Sequence, residues 1–305
     1  MSIQAGATIE IDELERVVEV RQRVAARHAF RERLRALEEK SRSRLPCQRW
    51  LPFRNMAIIV GARHAGAATL YQYLRQHPQI AANTQSPDPD FFSRPRLTRD
   101  ADRFQNGWPW YLAQWDFDPA RHRYALEASS SYADFPTFDA SFGRMRTMPI
   151  DYKLIYILRD PIDRLESHIR RSVMRWRRPV DRHRLLAEGP IGASCYALQI
   201  DRIMAHFSSE DVILLPYSGL WKNPTGVVAT LVRFLGLSPH HIDGVPPLAP
   251  EDEESCDGDG FLTDEERRLI YREIAGDLAR LEKVYGYPVL ETFPTVARIA
   301  GRAGV

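Results

Sequence analysis

The stretch IIVGARHAGAATLYQYL, residues 58–74, decides the fold of this chain. It opens with an apolar run that ends at Gly61, and a helix-forming segment follows Gly66. A short apolar run of this kind predicts a buried strand, so the order is strand, tight turn and helix. Backbone N–H groups in such a turn bind anions together with the positive end of the helix dipole. The stretch therefore predicts a phosphate-binding loop.

The side chains of this loop differ from those of nucleotide kinases, which place a lysine and then a serine or threonine after the second glycine. Ala67 and Ala68 occupy these two positions. Because both the phosphate-neutralising lysine and the usual magnesium ligand are missing, an ATP-dependent kinase is disfavoured. On this motif alone, a strand–glycine–helix turn with a purely structural role is the alternative.

Strand and helix patterns alternate along the rest of the chain. The runs MAIIVGA, YKLIYILRDP and DVILLPY predict buried strands, and amphipathic segments between them predict helices. This order favours an α/β fold with three layers and a mostly parallel central sheet flanked by helices. We divide the chain into an N-terminal helical extension (1–50), the α/β domain (51–292) and a C-terminal tail (293–305). The extension predicts an amphipathic helix that packs on the domain or, alternatively, forms a homodimer.

Composition narrows the class of function. The 305 residues carry a net charge of +2, with 44% hydrophobic and 27% charged residues, which is ordinary for a globular protein and disfavours a nucleic-acid partner. Three widely spaced cysteines predict no metal site and fit a reducing compartment. The N-terminus resembles no secretory signal, and no run approaches the roughly 20 apolar residues of a membrane span. We therefore expect a cytoplasmic protein.

A second anion-binding motif, RDPIDRLES, spans residues 159–167. Arg159 follows a predicted strand, and an arginine there presents a planar fork to a phosphate group. Ser167 is about two turns into the next helix by its spacing, where its hydroxyl can reach the same phosphate. A surface ion-pair cluster on a structural helix is the alternative.

Together the two motifs resemble those of sulfotransferases that use 3′-phosphoadenosine 5′-phosphosulfate (PAPS), GxxKxGTTxLxxxLxxHP and RDPxxRxxS. The resemblance covers about residues 53 to 290 and implies a nucleotide-kinase-like fold, PAPS as donor, 3′-phosphoadenosine 5′-phosphate (PAP) as product, and no metal. His64 falls at the position of the family's catalytic lysine. The residues that would bind the donor are Arg63, Ala65, Gly66, Ala67, Ala68, Thr69, Arg159 and Ser167.

Further segments match the family in the same order. SPDPDFF resembles KEPxFF, which places Asp88 at the position of the family's acidic base. NGWPWYLAQWDF and LEASSSYADFP resemble GxxWYxxxF and GEKSPSYL. They suggest acceptor contacts for Trp110, Tyr111, Ser131 and Tyr132, with an ordinary core role as the alternative for the aromatic residues.

The resemblance implies transfer of a sulfuryl group from PAPS to a hydroxyl or amine of a small-molecule, glycan or carrier-bound acceptor. Asp88 would take the acceptor's proton, and His64 would donate to the leaving oxygen. The alternative is a catalytically impaired protein that binds PAP, PAPS or a partner without turnover, or a fold reused for other chemistry.

Overall fold

A computed structural model describes residues 51–94, 102–134, 138–176, 191–241 and 262–302. The N-terminal extension, with its predicted helix and dimer contact, lies outside these ranges, and so do Cys47 and Cys256. Elements are numbered below within the described ranges.

Five parallel strands form the central sheet in the order β2-β3-β1-β4-β5. They are β1 (Asn55–Gly61), β2 (Ile80–Ala82), β3 (Tyr124–Glu127), β4 (Asp151–Leu158) and β5 (Val212–Pro216). The two central strands, β1 and β4, are almost wholly buried, which explains why their sequences are continuous apolar runs. The predicted α/β fold is confirmed.

Helices flank this sheet. They are α1 (Ala67–Leu74), α2 (Gly107–Leu112), α3 (Phe138–Met145), α4 (Pro161–Trp176), α5 (Tyr196–Met204), α6 (Gly219–Lys222), α7 (Pro224–Phe234), α8 (Asp264–Tyr285), α9 (Val289–Thr292) and α10 (Pro294–Arg302). Among the helices of the described ranges, none is long and apolar enough to cross a bilayer.

The order of the strands fixes where a ligand can bind. After β1 the chain crosses to β2 and β3 on one side, and after β4 it crosses to β5 on the other. The carboxyl ends of β1 and β4 therefore flank the point where the winding direction changes. Open α/β sheets bind their ligands in the crevice at such a switch point.

Residues 293–302 pack as part of the α/β domain. Phe293 and Val296 are fully buried. The backbone N–H groups of Thr295 and Val296 donate to Oδ2 of Asp160 at 2.8 and 3.1 Å. The predicted boundary after Thr292, between the domain and a C-terminal tail, stays a prediction.

The N-terminus of α8 carries a reciprocal cap. The Thr263 hydroxyl accepts the Glu266 N–H at 3.2 Å, and the Glu266 carboxylate accepts the Thr263 N–H at 2.7 Å. This is the capping box that the spacing of a threonine and a glutamate indicates in the sequence.

Candidate active site

The predicted phosphate loop joins β1 to α1. Gly66 precedes the helix with φ of 82°, in the left-handed region that glycine adopts without strain. A Cβ there would lie 2.8 Å from Cδ1 of Leu220 and 3.2 Å from the ring of Tyr217. No side chain caps α1, and its first turn contains no acidic residue. The loop therefore keeps the backbone geometry and the positive helix end that an anion requires.

Arg159 connects the two phosphate motifs. It follows β4, is only 7% exposed, and its Nη1 donates to the carbonyl of His64 at 2.9 Å. Its guanidinium carbon lies 4.6 Å from the ring centre of Tyr217, the residue that also packs on Gly66. Segments 95 residues apart in sequence thus meet at the switch point.

Helix α4 lies beside the loop. The ring of His168 is centred 4.7 Å from the ring of His64. His168 is therefore a neighbour of the loop. Ser167 precedes His168 on α4 and is half-buried. The part of α4 that contains Ser167 therefore lies beside the phosphate loop, which Arg159 also contacts.

His64 is held as a neutral imidazole. Burial is the main cause that lowers its pKa to about 2, and His168 and the guanidinium groups of Arg164 and Arg171 lower it further. At neutral pH this ring can donate a single hydrogen bond but carries no charge. His64 as a neutral ring therefore does not supply the positive charge that a lysine at this position would carry.

Arg63, which precedes His64 in the loop, is engaged by an acidic partner. Its guanidinium forms an ion pair with the carboxylate of Asp134, which is 2% exposed. The pair fixes Arg63 against the domain and offsets its charge. Asp134 was not singled out in the sequence, because it lies in a turn without periodic pattern.

Asp88 lies on the loop that follows β2. Pro87 accepts the Ala128 N–H at 2.8 Å, and the Asp90 N–H donates to the Ser129 hydroxyl at 3.1 Å. Asp88 is exposed at the surface, but the surrounding protein partly desolvates its carboxyl group, and Ser129 is among the groups that act on it. Burial of the carboxyl group raises the pKa of Asp88, which suits a proton acceptor.

The predicted acceptor contacts divide into buried and exposed residues. Tyr111 and Tyr132 are fully buried, and their hydroxyls donate to the carboxylate of Glu127. Ser131 is also buried and donates to Asp90. These three side chains are engaged in hydrogen bonds inside the protein, and their role in acceptor binding stays a prediction. Trp110 is 39% exposed and is the only predicted acceptor residue at the surface.

A surface cleft of about 470 Å³ lies at the opposite edge of the sheet, before β1, β2 and β3. Its lining includes Arg54, Gln79, Arg121 and Arg123 but none of the predicted site residues. This cleft is therefore separate from the groups that converge at the switch point. Within the described ranges, no three His, Cys, Asp or Glu side chains are grouped as metal ligands would be.

Comparison with known proteins agrees with this geometry. Residues 54–247 match the family model described as a sulfotransferase domain. The chain belongs to the sulfotransferase family. A sulfotransferase from Alicyclobacillus acidocaldarius has a similar structure, with a TM-score of 0.60 at 24% identity over 76% of this chain and 95% of that one. At this level of identity the likeness shows the fold.

Curated relatives of this sulfotransferase include two heparan sulfate enzymes. The mouse bifunctional heparan sulfate N-deacetylase/N-sulfotransferase 4 is 26% identical over 60% of this chain and 22% of its own length. The human heparan sulfate glucosamine 3-O-sulfotransferase 6 is 28% identical over 59% of this chain and 52% of its own length. The chain thus spans about a fifth and about half of these two relatives.

Proposed function

We propose that this sulfotransferase transfers a sulfuryl group from PAPS to a hydroxyl or amine of a glycan or small-molecule acceptor. The observation that carries the proposal is the contact of Arg159 with the His64 carbonyl and the Tyr217 ring. It joins the phosphate loop and the RDPxxRxxS helix into one anion site at the switch point. A structural turn alone would not require a buried arginine there.

The hydrogen-bond donors of the phosphate loop and of Arg159 fit a nucleotide with phosphate groups at two positions. The loop from Ala65 to Thr69 offers backbone N–H groups at the start of α1, where no acidic side chain opposes an anion. These groups would hold the 5′-phosphosulfate end. Arg159 uses one guanidinium N–H for the His64 carbonyl, and its other donors, with the Ser167 hydroxyl, would hold the 3′-phosphate.

The proposed reaction moves one sulfuryl group and one proton. An acceptor oxygen or nitrogen forms a bond to sulfur, the bond from sulfur to the 5′-phosphate oxygen breaks, and the acceptor's proton passes to Asp88. The raised pKa of Asp88 favours this uptake. Neutral His64 would donate a hydrogen bond to the leaving oxygen. Positioning of the reactants and electrostatic stabilisation of the transition state would lower the barrier to transfer further.

A glycan is the acceptor class that the relatives support best. Both heparan sulfate relatives are named for sulfation of a glycan, at an amine in one case and at a hydroxyl in the other. The exposed Trp110 stacks on Phe91 beside the Asp88 loop, where its indole ring could pack on a sugar. The acceptor of this chain would then be an oligosaccharide with a free amine or hydroxyl.

Binding without turnover is the second candidate function. It is favoured by the neutral His64 and by the pairing of Arg63 with Asp134, which leave the loop with little positive charge of its own. Calorimetry with PAP and a transfer assay separate the two functions. Tight PAP binding with no transfer to amine- or hydroxyl-bearing oligosaccharides would support the second function.

The test of the proposed function is transfer of labelled sulfate from PAPS to such oligosaccharides by the wild-type chain and by Arg159→Lys. Lysine keeps the charge but loses the planar fork and the stacking on Tyr217. We expect PAP affinity to fall by about tenfold or more, as for loss of one charge-assisted hydrogen bond of about 1.5–3 kcal/mol.

Arg233→Lys is the matched control, because Arg233 is exposed on α7 and its guanidinium hydrogen-bonds to Ala229 and Thr230 of the same helix. It should leave PAP affinity and transfer unchanged. Equal PAP affinity of wild type and Arg159→Lys would contradict the assignment of the nucleotide site.

A further inference from the structure

The basic cleft, at the edge of the sheet opposite the phosphate loop, has no role in the proposed reaction. Its volume is about 470 Å³, and its lining includes Arg54, Gln79, Arg121, His122 and Arg123. This volume is in the range of small-molecule sites. None of the twelve lining residues, all of them in the described part of the chain, is acidic. A cleft lined by charges of one sign concentrates ligands of the opposite sign.

Two of these arginines lie at the start of neighbouring strands. In the parallel pairing of β1 with β3, Met56 is level with Ala125. Two residues before this pair the chain has Arg54 and Arg123, so each strand begins directly after an arginine. Neighbouring strands are about 4.8 Å apart, and like charges that approach each other repel. An anion bound between the two arginines would offset this repulsion.

The arginines of the basic cleft are available to a ligand. Arg54, Arg121 and Arg123 are exposed, and within the described ranges no ion pair or hydrogen bond occupies their guanidinium groups. Acidic residues occur nearby but outside the lining. Asp118 uses Oδ1 to accept the Ala120 N–H at 2.9 Å. The three positive charges of the cleft are therefore not neutralised by the residues that line it.

The walls of the basic cleft are held in place by aromatic packing. Phe53 is 3% exposed, and its ring centre lies 5.4 Å from that of Phe117. The Phe117 ring lies 5.5 Å from the ring of His122, whose Nδ1 accepts the Asp118 N–H at 3.0 Å. The His122 ring is therefore fixed with Nε2 as its donor. Apolar walls lower the local dielectric constant, which strengthens the attraction between an arginine and an anion.

We propose that the basic cleft binds the sulfate groups of a sulfated oligosaccharide. The planar fork of an arginine matches the oxygen atoms of an oxyanion, and three such forks suit a ligand with several anionic groups. A net charge of only +2 disfavours a nucleic acid as this ligand. The choice of a glycan rests on the proposed function and on relatives named for heparan sulfate, whereas the anion site does not.

The basic cleft is separate from the nucleotide site. Strand β1 runs from Asn55, in the lining of the cleft, to Gly61 at the phosphate loop. A strand of this length spans about 20 Å, so both sites can be occupied at the same time. A second site for a polymeric acceptor raises its effective concentration near the site of transfer without contact with the reacting groups.

Calorimetry of the full-length chain with a heparin-derived octasaccharide tests the cleft, with PAP added to occupy the nucleotide site. In the double variant Arg54→Gln, Arg123→Gln we expect octasaccharide affinity to fall by about tenfold, as for the loss of two exposed charge contacts, while PAP affinity stays unchanged. The double variant Arg268→Gln, Arg272→Gln is the matched control, because both residues are exposed on α8 and lie outside the lining. It removes the same charge and should keep the wild-type affinity. An equal loss in both variants, or no loss in either, would overturn the proposal.

Three further probes identify the class of ligand. The desulfated octasaccharide should bind about tenfold more weakly than the sulfated one, because the arginines lose their anionic partners. Inorganic sulfate should bind weakly, because it offers a single anionic group. Inorganic sulfate or a DNA oligonucleotide of equal charge that binds as tightly as the sulfated octasaccharide would overturn the choice of a glycan.

The NMR signal of the Asn55 side-chain amide locates the bound octasaccharide. Asn55 lines the cleft, and its Nδ2 donates to the carbonyl of Arg123 at 3.2 Å. Binding should therefore shift this signal in the wild type and not in the double variant of Arg54 and Arg123. A shift in a chain that binds no PAP would contradict the proposed function and support the cleft site. Sulfate transfer from PAPS with no such shift would overturn the cleft site alone, so the two failures are distinguishable.

Discussion

At the residue scale, His64 differs in charge as well as in length from a lysine at the same position. Its neighbours include the ring of His168 and the guanidinium groups of Arg164 and Arg171. A protonated side chain at this position would face several positive groups at once. The positive charge near the loop is therefore carried by arginines, and the position itself holds a neutral hydrogen-bond donor.

The protonation of His64 gives the first prediction. Because its pKa is lowered to about 2, the native ring stays neutral from pH 8 to 5, while the unfolded ring takes up a proton below about pH 6.5. The stability that it contributes is present above pH 6.5 and is lost as the pH falls. We expect constant ring signals of His64 between pH 5 and 8 in NMR. His64→Gln should also lose less stability than wild type between pH 7 and 5.

Bound PAP should favour protonation of His64. A phosphate dianion beside the ring favours the charged form, so saturation with PAP should raise the pKa of His64. A midpoint above pH 5 without nucleotide, or no change on saturation with PAP, would contradict this account of the loop.

Single residues also show what sequence could and could not predict about the site. Arg159 was predictable, because its motif fixes it at the end of a buried strand. Trp110 and Tyr111 were not separable in sequence, since they are adjacent on α2, a helix of six residues that is too short to show a periodic face. Tertiary packing decides that Trp110 faces solvent and that Tyr111 faces Glu127.

At the element scale, the turn between β1 and α1 depends on one glycine. Gly66→Ala would force φ of 82° on a residue with a Cβ and bring that atom within 2.8 Å of Leu220. We expect it to lower the free energy of unfolding by about 1–2 kcal/mol. Gly276→Ala, inside α8 with open space around it, should raise it by about 0.5–1 kcal/mol.

Urea unfolding of both variants checks this prediction. PAP calorimetry adds a functional measurement, because Gly66→Ala also displaces the proposed anion-binding turn, whereas Gly276 is remote from the loop in sequence. Equal stability of the two variants would show that the turn does not need the left-handed conformation.

Some strands are easier to predict from the sequence than others. The strands β1, β4 and β5 were predicted because each is a run of apolar residues between turn signals. The strand β2 has only three residues and carries no pattern of its own. It exists because Ile80 to Ala82 pair with β3, which is a tertiary contact that no local pattern reports.

At the scale of the whole molecule, the site arises from the order of the strands. The phosphate loop and the RDPxxRxxS helix were both predicted from sequence, but their meeting point was not derivable from either motif. It follows from β1 and β4 lying side by side with the chain diverging after each. The position of α10 against Asp160 could not be read from sequence either, because the two segments are 135 residues apart.

The last prediction concerns this C-terminal helix. Asp160 follows Arg159 directly, and its Oδ2 accepts two N–H groups from the start of α10. Removal of residues 294–305 would leave that buried carboxylate without these donors, at a cost of about 1–3 kcal/mol. It would also expose the core that Val296 covers. We expect a lower Tm and about tenfold weaker PAP binding, about 1.4 kcal/mol, because Arg159 loses its rigid neighbour.

Two point variants separate these causes. Val296→Ala removes apolar packing and keeps the backbone donors, so it should lower Tm while PAP affinity stays near that of wild type. Asp160→Asn keeps an oxygen acceptor for the α10 N–H groups and removes the charge next to Arg159. It should therefore change PAP affinity less than the truncation does. If the truncated chain binds PAP as tightly as the full chain, α10 stabilises the fold without supporting the nucleotide site.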